Sequence, residues 1–220
     1  MLYDLAAEIS PKLVAFPGDP LYCTEIISSL EEGQKFKLCH MHFGNHTGTH
    51  IDFPAHTITG GKTSSDFPLE HLTGQGIIIN VPVEEKSITR AFLSSQPIVT
   101  SDIIFFKTAN SQKSKRDPFT EQYVYIEPDA TEELLQMGVK IVGIDYISVD
   151  KYEDEDLSTH NALLSKEILI VEGLELHAIP EGQYEIFVVP LNIPDMDGLP
   201  ARVFAKTVES VDISKALHRY

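Results

Sequence analysis

Short apolar runs punctuated by helix signals predict alternating strands and helices along this chain. Residues 76–81, 102–107 and 139–144 are almost continuously apolar over the length of an ordinary strand. Such runs are typical of strands that are buried on both faces of a sheet. A fourth run, residues 168–171, consists of four aliphatic residues and ends in Glu172. We therefore expect these segments to form the centre of one sheet.

Helix start and stop signals lie between the apolar runs. Thr89 is placed to cap a short helix that continues through Ser94, because a threonine oxygen can accept a hydrogen bond from the first turn. Asp129 or Thr131 is placed to cap a second helix, and Gly138 is placed to end it. Strands and helices in alternation predict an α/β fold with a mixed sheet.

A third helix and a further strand complete the predicted pattern. Ser158 or Thr159 is the predicted cap of a helix that runs to Lys166. Upstream, residues 39–43 alternate as in a strand, which places Cys39, Met41 and Phe43 on one face and the remaining two residues on the other. Those two residues are His40 and His42, and we interpret them as solvent-facing or as lying behind a functional site.

Length and composition favour one soluble domain. The chain has 220 residues, 42% of them hydrophobic, and no Pro/Gly/Ser-rich linker divides it, so residues 1–220 are predicted to be a single domain. The formal net charge of −16 argues against binding to nucleic acid or to an anionic membrane surface. No leader-like start or long apolar run is apparent, and the two cysteines are interpreted as reduced, which predicts a cytoplasmic protein.

The strongest chemical signal is the segment 46–56. It contains His46, His50, Asp52 and His56, with glycine and proline among them. Imidazole and carboxylate groups are the ligands of borderline divalent cations such as Zn²⁺ and Mn²⁺. A set without thiolates favours a catalytic metal site over a structural one. We therefore predict that this loop binds a metal and carries chemistry.

The spacing of the motif requires a bend in the chain. Gly48 and Pro54 argue against a helix that would align His46 with His50. A flat strand would hold the two Cα atoms about 13 Å apart, too far for side chains that share one ion. Gly48 is the residue best able to adopt the backbone angles of a turn. We expect it to fold His50 and Asp52 back toward His46.

The eleven-residue pattern His-x-Gly-Thr-His-x-Asp-x-Pro-x-His resembles the signature of the cyclase family of metal-dependent hydrolases, which includes bacterial kynurenine formamidases and isatin hydrolases. Residues 16–20, 143–150 and 197–202 resemble weaker motifs of the same family. The resemblance implies a swivelling β/β/α type of fold, a small-molecule substrate and a homo-oligomer, either a dimer or a tetramer.

His160 and Glu172 form a second constellation. A carboxylate that follows four aliphatic residues is either buried beside a cation or exposed in the turn at 172–173, and the residues alone leave both open. The resemblance to kynurenine formamidases implies that His160 and Glu172 are ligands and that Asp52 bridges two ions. The expected cofactor is Zn²⁺, one or two per chain, with Mn²⁺ as the alternative.

His56 is the expected proton carrier. A divalent ion lowers the pKa of bound water from about 15.7 toward about 7 and polarises a carbonyl group. An imidazole that titrates near neutrality can take a proton from that water and return it to the leaving atom. The resemblance assigns the same role to the last motif histidine. Asp19, Asp145 and Asp150 are weaker candidates because acidic residues in turns are mostly solvated.

The predicted activity is hydrolysis of a carbon–nitrogen amide bond in an aryl formamide or cyclic amide. A lactone hydrolase, a metal-dependent cyclase or lyase, and a binding protein without turnover are the alternatives. Phenylalanines in loops or near the motif predict an aromatic wall for a planar substrate. They are Phe16, Phe43, Phe53, Phe67 and Phe119. Arg202 is interpreted as one half of a structural ion pair rather than as a substrate ligand.

Overall fold

A computed structural model describes residues 1–98 and 101–208 of the chain. Twelve strands and three α-helices are found in the described residues. The strands are Leu2–Asp4 (β1), Cys23–Ser28 (β2), Leu38–His42 (β3), His50–Asp52 (β4), Thr73–Asn80 (β5), Ser87–Ile88 (β6), Ile103–Lys107 (β7), Tyr125–Ile126 (β8), Ile141–Ile144 (β9), Leu169–Glu172 (β10), Gly182–Pro190 (β11) and Gly198–Thr207 (β12). The helices are Arg90–Ser95 (α1), Pro128–Met137 (α2) and Ser158–Leu164 (α3).

Eight strands form one mixed sheet in the order β1-β12-β11-β5-β7-β9-β10-β4. Strands β5, β7, β9 and β10 run parallel, whereas β11, β12 and β4 are antiparallel to their neighbours. Strand β4 pairs with β10 on one side and with β12 on the other, so the sheet closes into a barrel. The predicted α/β fold with a mixed sheet is confirmed.

Two apolar layers flank the parallel strands because successive side chains point to opposite faces. Phe105 belongs to the core inside the barrel, and its neighbour Phe106 belongs to the core outside it. The three helices cover the outer core and contribute Leu93, Leu134 and Leu163 to it. Burial on both faces explains why the central strands are continuous apolar runs, as the sequence predicts.

The predicted helix starts are partly wrong. The side chain of Thr89 caps α1 by accepting from the amide of Phe92, as expected. Helix α2 instead begins after Glu127 with Pro128 in its first turn, and Gly138 ends it in a left-handed conformation (φ 70°). Pro128 explains the earlier start, because its fixed φ suits the first helical position and it has no amide hydrogen to satisfy.

Helix α3 also departs from the prediction. Its N-cap is Leu157, whose φ of 48° is left-handed and which makes no side-chain cap. The first amides are satisfied from outside the helix: Asp154 accepts from Ser158, and Asp150 accepts from Thr159. Acceptors several residues upstream are not visible as a local capping pattern. None of the described helices is long and apolar enough to cross a membrane.

Strand β4, which closes the barrel between β10 and β12, is the seam of the barrel. A close backbone approach next to this seam provides a test of the fold. Gly173 has a φ of +67°, and a Cβ atom there would lie 2.3 Å from the carbonyl oxygen of Gly48. We expect Gly173→Ala to lower the free energy of unfolding by about 2 kcal/mol or more, because backbone overlap adds to the cost of a left-handed alanine. Urea unfolding, followed by circular dichroism, measures the change.

Gly60→Ala is the matched control for that substitution. Gly60 has a similar φ of +72°, but a Cβ atom there meets nothing within 4 Å. Only the conformational cost remains at this position, about 1 kcal/mol. Equal losses in the two variants would contradict a role for the Gly173–Gly48 contact.

Candidate metal centre

Strand register places three of the predicted ligands on one face of the seam. Residue His50 of β4 lies directly opposite Glu172 of β10, and Asp52 follows two residues later. Paired residues point to the same face of a sheet, and so do residues two apart on one strand. Ile51, between them, points the other way and is buried in the inner core. The seam therefore brings one imidazole and two carboxylates together.

Gly48 makes the bend that the sequence predicts. Its φ of +72° reverses the chain, and the next residue, Thr49, donates its hydroxyl hydrogen to the carbonyl of Gly173, 2.7 Å away. The turn brings His46 back so that its Nδ1 lies 2.8 Å from Oδ1 of Asp52. On its far side the His46 ring rests on Gly198, where any Cβ atom would lie 2.3 Å from the ring.

Helix α3 contributes the third imidazole through its first turn. The carboxylate of Asp150 accepts hydrogen bonds from the amides of Thr159 and His160 and lies 2.5 Å from Nδ1 of His160. This holds the ring with Nε2 facing the seam, 3.3 Å from Glu172 and 3.6 Å from Asp52. Asp150 thus positions His160, and its own oxygens are occupied by these donors.

Glu172 is buried, as one of the two sequence interpretations requires. One of its oxygens accepts from the amide of Val149 at 2.7 Å, and the other lies 3.4 Å from Nε2 of His50. The opposite nitrogen of His50 donates to the carbonyl of Gly48 at 3.0 Å. That contact leaves Nε2 of His50 as the nitrogen directed at the carboxylates.

Asp52 lies at the centre of the cluster and is fully buried. Its two oxygens lie 2.8, 3.4 and 3.6 Å from nitrogens of His46, His50 and His160. None of these approaches has hydrogen-bond geometry, and within the described residues both oxygens are without a partner. A buried carboxylate that accepts no hydrogen bond is costly unless positive charge, on protonated imidazoles or on a metal ion, balances it. The donor set therefore fits a divalent ion, or a pair of ions that share Asp52.

Charge coupling in the cluster shifts the pKa of every ligand. Burial alone lowers the pKa of His46, but the adjacent carboxylates of Asp52 and Asp197 outweigh it and raise the pKa to about 9. Burial is likewise outweighed at His50 and His160, whose pKa values the neighbouring carboxylates raise. In the metal-free protein these imidazoles therefore keep their protons to higher pH than a free imidazole does.

The two central carboxylates shift in the opposite direction. Burial raises the pKa of Asp52, yet the positive field of His50 and the adjacent imidazoles holds it well below its usual range. Glu172 behaves in the same way, with His160 as the main opposing charge. Both groups are thus anionic near neutral pH, as metal ligands must be.

His56 differs from the other three imidazoles. It lies at the end of a short 3₁₀ turn, Pro54–His56, with its ring 4.1 Å from the ring of His46 and 5.6 Å from that of His160. Burial lowers its pKa, and the neighbouring imidazoles lower it further. His56 is therefore neutral at pH 7 and able to accept a proton.

The structure adds Asp197, which sequence reasoning missed as a functional residue. Its Oδ2 lies 3.1 Å from Nε2 of His46 and 3.3 Å from Nδ1 of His56, so that one carboxylate links the two rings. Nδ1 of His56 then donates to Asp197 and leaves Nε2 as the basic nitrogen. The only signal was the position of Asp197 before Gly198, in a segment that resembles a weak family motif.

The weaker sequence candidates lie elsewhere or have other partners. The carboxylate of Asp145 is saturated by Thr108 and Ser111 through their amides and hydroxyls. His40 and His42 lie on the exposed β2–β3 hairpin, away from the seam. Arg202 forms an exposed ion pair with Asp4, as the sequence analysis favours.

An open cavity of about 250 Å³ lies next to the cluster. His46, His56 and His160 face it, and an apolar wall is formed by Val14, Phe16, Ile147 and Leu157. Asp19 lines the same cavity and is exposed.

The predicted aromatic wall is only partly present. Phe16 lines the cavity, with Phe119 packed edge-on behind it at 5.7 Å. Phe53 and Phe67 pack on each other in the inner core, and Phe43 contacts Tyr22. The expectation that these last three phenylalanines border the substrate is wrong, because burial in the barrel or contact with the hairpin removes them from the cavity.

The chain is similar to known proteins over most of its length. The sequence profile of a family described as "Putative cyclase" matches residues 3–151. A kynurenine formamidase from Salinibacter ruber is 32% identical over 202 residues, which cover 91% of this chain and 95% of that protein. A solved structure of a potential metal-dependent hydrolase with cyclase activity is 30% identical, covers 93% of this chain and 96% of its own, and superimposes with a TM-score of 0.81.

A more distant structure shares the fold. Isatin hydrolase A from Labrenzia aggregata is 20% identical, and the match covers 93% of each chain with a TM-score of 0.80. At this level of identity the likeness concerns the architecture of the chain alone. It shows that the closed mixed sheet is a scaffold on which sequences diverge widely.

The coupled protonation of the cluster predicts proton release when a metal binds. Metal ligation requires neutral imidazoles, whereas His46, His50 and His160 have raised pKa values in the metal-free protein. Titration of metal-free protein with Zn²⁺ at pH 7 should therefore release protons, and the release should decline as pH rises through about 9, the pKa of His46. Calorimetry in two buffers with different ionisation enthalpies measures the release. Identical heats in both buffers would contradict the prediction.

Proposed function

Because the chain belongs to the putative cyclase family, we propose that it is a metal-dependent hydrolase that cleaves a carbon–nitrogen amide bond in a small molecule. The substrate class is an aryl formamide or a cyclic amide, as in a kynurenine formamidase, and residues 1–220 act as one catalytic domain. The carrying observation is the buried carboxylate of Asp52, unpartnered among the described donors and ringed by imidazoles beside an open cavity.

The ligand assignment follows the resemblance to kynurenine formamidases. Asp52 is common to the two groups of converging donor atoms beside the cavity, His50/Asp52/Glu172 and His46/Asp52/His56. His46, His50 and Asp52 would hold one ion, and Asp52, His160 and Glu172 would hold a second. We favour Zn²⁺, with Mn²⁺ as the alternative, because mixed imidazole and carboxylate ligation suits both ions. When bound, a divalent ion supplies Lewis acidity toward the substrate carbonyl and lowers the pKa of water.

We assign the proton transfers to His56. Its neutral ring accepts a proton at Nε2 from the attacking water and returns it to the departing nitrogen. Asp197 holds the other ring nitrogen at 3.3 Å and stabilises the imidazolium that forms in between. The same carboxylate contacts His46, so a ligand and the base keep a fixed relative position.

The cavity supports a planar, largely apolar substrate. Val14, Phe16, Ile147 and Leu157 form its wall, and no lysine or arginine belongs to the lining in the described parts of the chain. Hydrocarbon and aromatic surfaces favour an aryl group, and the adjacent imidazoles meet the amide. A volume of about 250 Å³ suits one or two fused rings rather than a peptide.

Substrate turnover tests the proposed function directly. N-formyl arylamines, isatins and lactones are assayed with protein loaded with Zn²⁺ or Mn²⁺, and the products are identified. We expect amide hydrolysis, with formate released from formamides or a ring-opened carboxylate formed from isatins. Turnover confined to lactones would contradict the amide assignment. A product that has not gained the elements of water would contradict it as well.

Two histidine variants separate the base from the ligands. His56→Gln should keep its metal while kcat falls by about 10²- to 10⁴-fold, the usual worth of a positioned general acid/base. His50→Ala should lose metal and activity together, since it removes a ligand. Metal content by mass spectrometry and steady-state kinetics are the two measurements. Loss of metal from His56→Gln would make His56 a ligand instead.

We also propose that the protein is a homo-oligomer, most simply a dimer. Ile26 and Met41 lie on one face of the β2–β3 hairpin and are 62% and 65% exposed, which is costly for large apolar side chains in water. A second copy of the chain would cover this surface. Sedimentation at micromolar concentration should give a dimer or tetramer, and Ile26→Glu/Met41→Glu should shift it to monomer. A monomeric wild-type protein would refute the proposal.

We further propose a cytoplasmic location. Cys23 and Cys39 are both free thiols, although they lie on paired strands of one hairpin. Unpaired cysteines are typical of proteins in a reducing compartment.

A further inference from the structure

The hairpin of β2 and β3 carries a second group of metal-binding side chains. The two strands pair only with each other among the described residues, and nearly all of their side chains are exposed. The register sets Glu25 opposite His40 and Cys23 opposite His42. Paired residues and residues two apart share a face, so all four side chains lie on the same side of the hairpin.

Three of these side chains already converge. Nδ1 of His40 lies 3.7 Å from Oε2 of Glu25, and Nε2 of His42 lies 3.9 Å from the same oxygen. One donor atom from each residue lies within 4.8 Å of the other two. Ligands bonded at roughly 2.05 Å in a tetrahedral site are about 3.4 Å apart. Small rotations of exposed side chains therefore suffice to place all three around one ion.

We propose that Glu25, His40 and His42 form a second binding site for a divalent transition metal, separate from the centre at Asp52. Two imidazoles and a carboxylate suit Zn²⁺, Ni²⁺ or Cu²⁺ and suit Mg²⁺ or Ca²⁺ poorly. Cys23, exposed and opposite His42, supplies a fourth ligand from the same face. The site draws on no residue of the catalytic cluster.

The position of the site gives it a structural role. A bound ion would join β2 to β3 in a hairpin that, within the described part of the chain, pairs with no strand of the barrel. His42 is the last residue of β3, and the chain continues from it directly into the turn that carries His46. The ion would hold in place the strand from which the catalytic loop starts.

Metal stoichiometry tests this proposal. Wild-type protein and His40→Ala/His42→Ala are dialysed against Zn²⁺ or Ni²⁺, and bound metal is measured by mass spectrometry. His177→Ala is the matched control, because it removes another exposed histidine far along the sequence. We expect the wild type and the control to bind one ion more per chain than the double variant, while all three keep the metal of the centre at Asp52. Equal stoichiometry in the three proteins would overturn the proposal.

Two further measurements address the ligands individually. Glu25→Gln should weaken binding at this site at least tenfold, because it removes the anionic ligand and leaves the fold of an exposed strand intact. Hydrogen exchange of the amides in β2 and β3 should slow when Zn²⁺ is added to the wild type and not when it is added to the double variant. Unchanged exchange in the wild type, or full affinity in Glu25→Gln, would contradict the site.

Cobalt reports on the fourth ligand. Substitution with Co²⁺ should produce a sulfur-to-cobalt charge-transfer band in the wild type that Cys23→Ser abolishes. A wild-type spectrum without this band would show that the assignment of Cys23 is wrong.

Discussion

Asp52 holds a negative charge where water does not reach, and the rest of the site follows from how that charge is balanced. Without a cation the balance comes from protons on the surrounding imidazoles, whose pKa values rise as that of Asp52 falls. A divalent ion bound here would replace those protons as the positive charge that balances Asp52. The cluster would therefore carry protons on its imidazoles in the metal-free protein and lose them when a metal binds.

The barrel positions the side chains that balance the charge of Asp52. His50 and Asp52 belong to the seam strand β4, Glu172 lies across one ladder, and His160 enters from the first turn of α3. Each imidazole is oriented by a second contact: the carbonyl of Gly48 for His50 and the carboxylate of Asp150 for His160. Such contacts select the nitrogen that would face a bound ion. His56 lacks a raised pKa because burial and the neighbouring imidazoles lower it.

The parts of the structure that depend on neighbouring residues were predictable, and those that depend on distant strand pairing were not. The motif around Gly48 indicates its own bend, whereas the run that ends at Glu172 leaves the carboxylate either buried or exposed. Asp197 reaches the site because Gly198 pairs with Asp52, a contact across most of the chain that no local pattern encodes. The hairpin around Met41 alternates like a half-buried strand, yet its side chains are mostly exposed because no second layer among the described residues covers it.

The seam of the barrel is a strand of three residues, and two of the three are candidate ligands. So short a strand contributes few ladder hydrogen bonds, and prising it from β10 or β12 would also part His50 from Glu172. Closing the barrel and assembling the metal ligands are then one equilibrium. The binding free energy of a metal ion would therefore stabilise the closed barrel. A chelator applied to this protein would act as a denaturant directed at one place in the sheet.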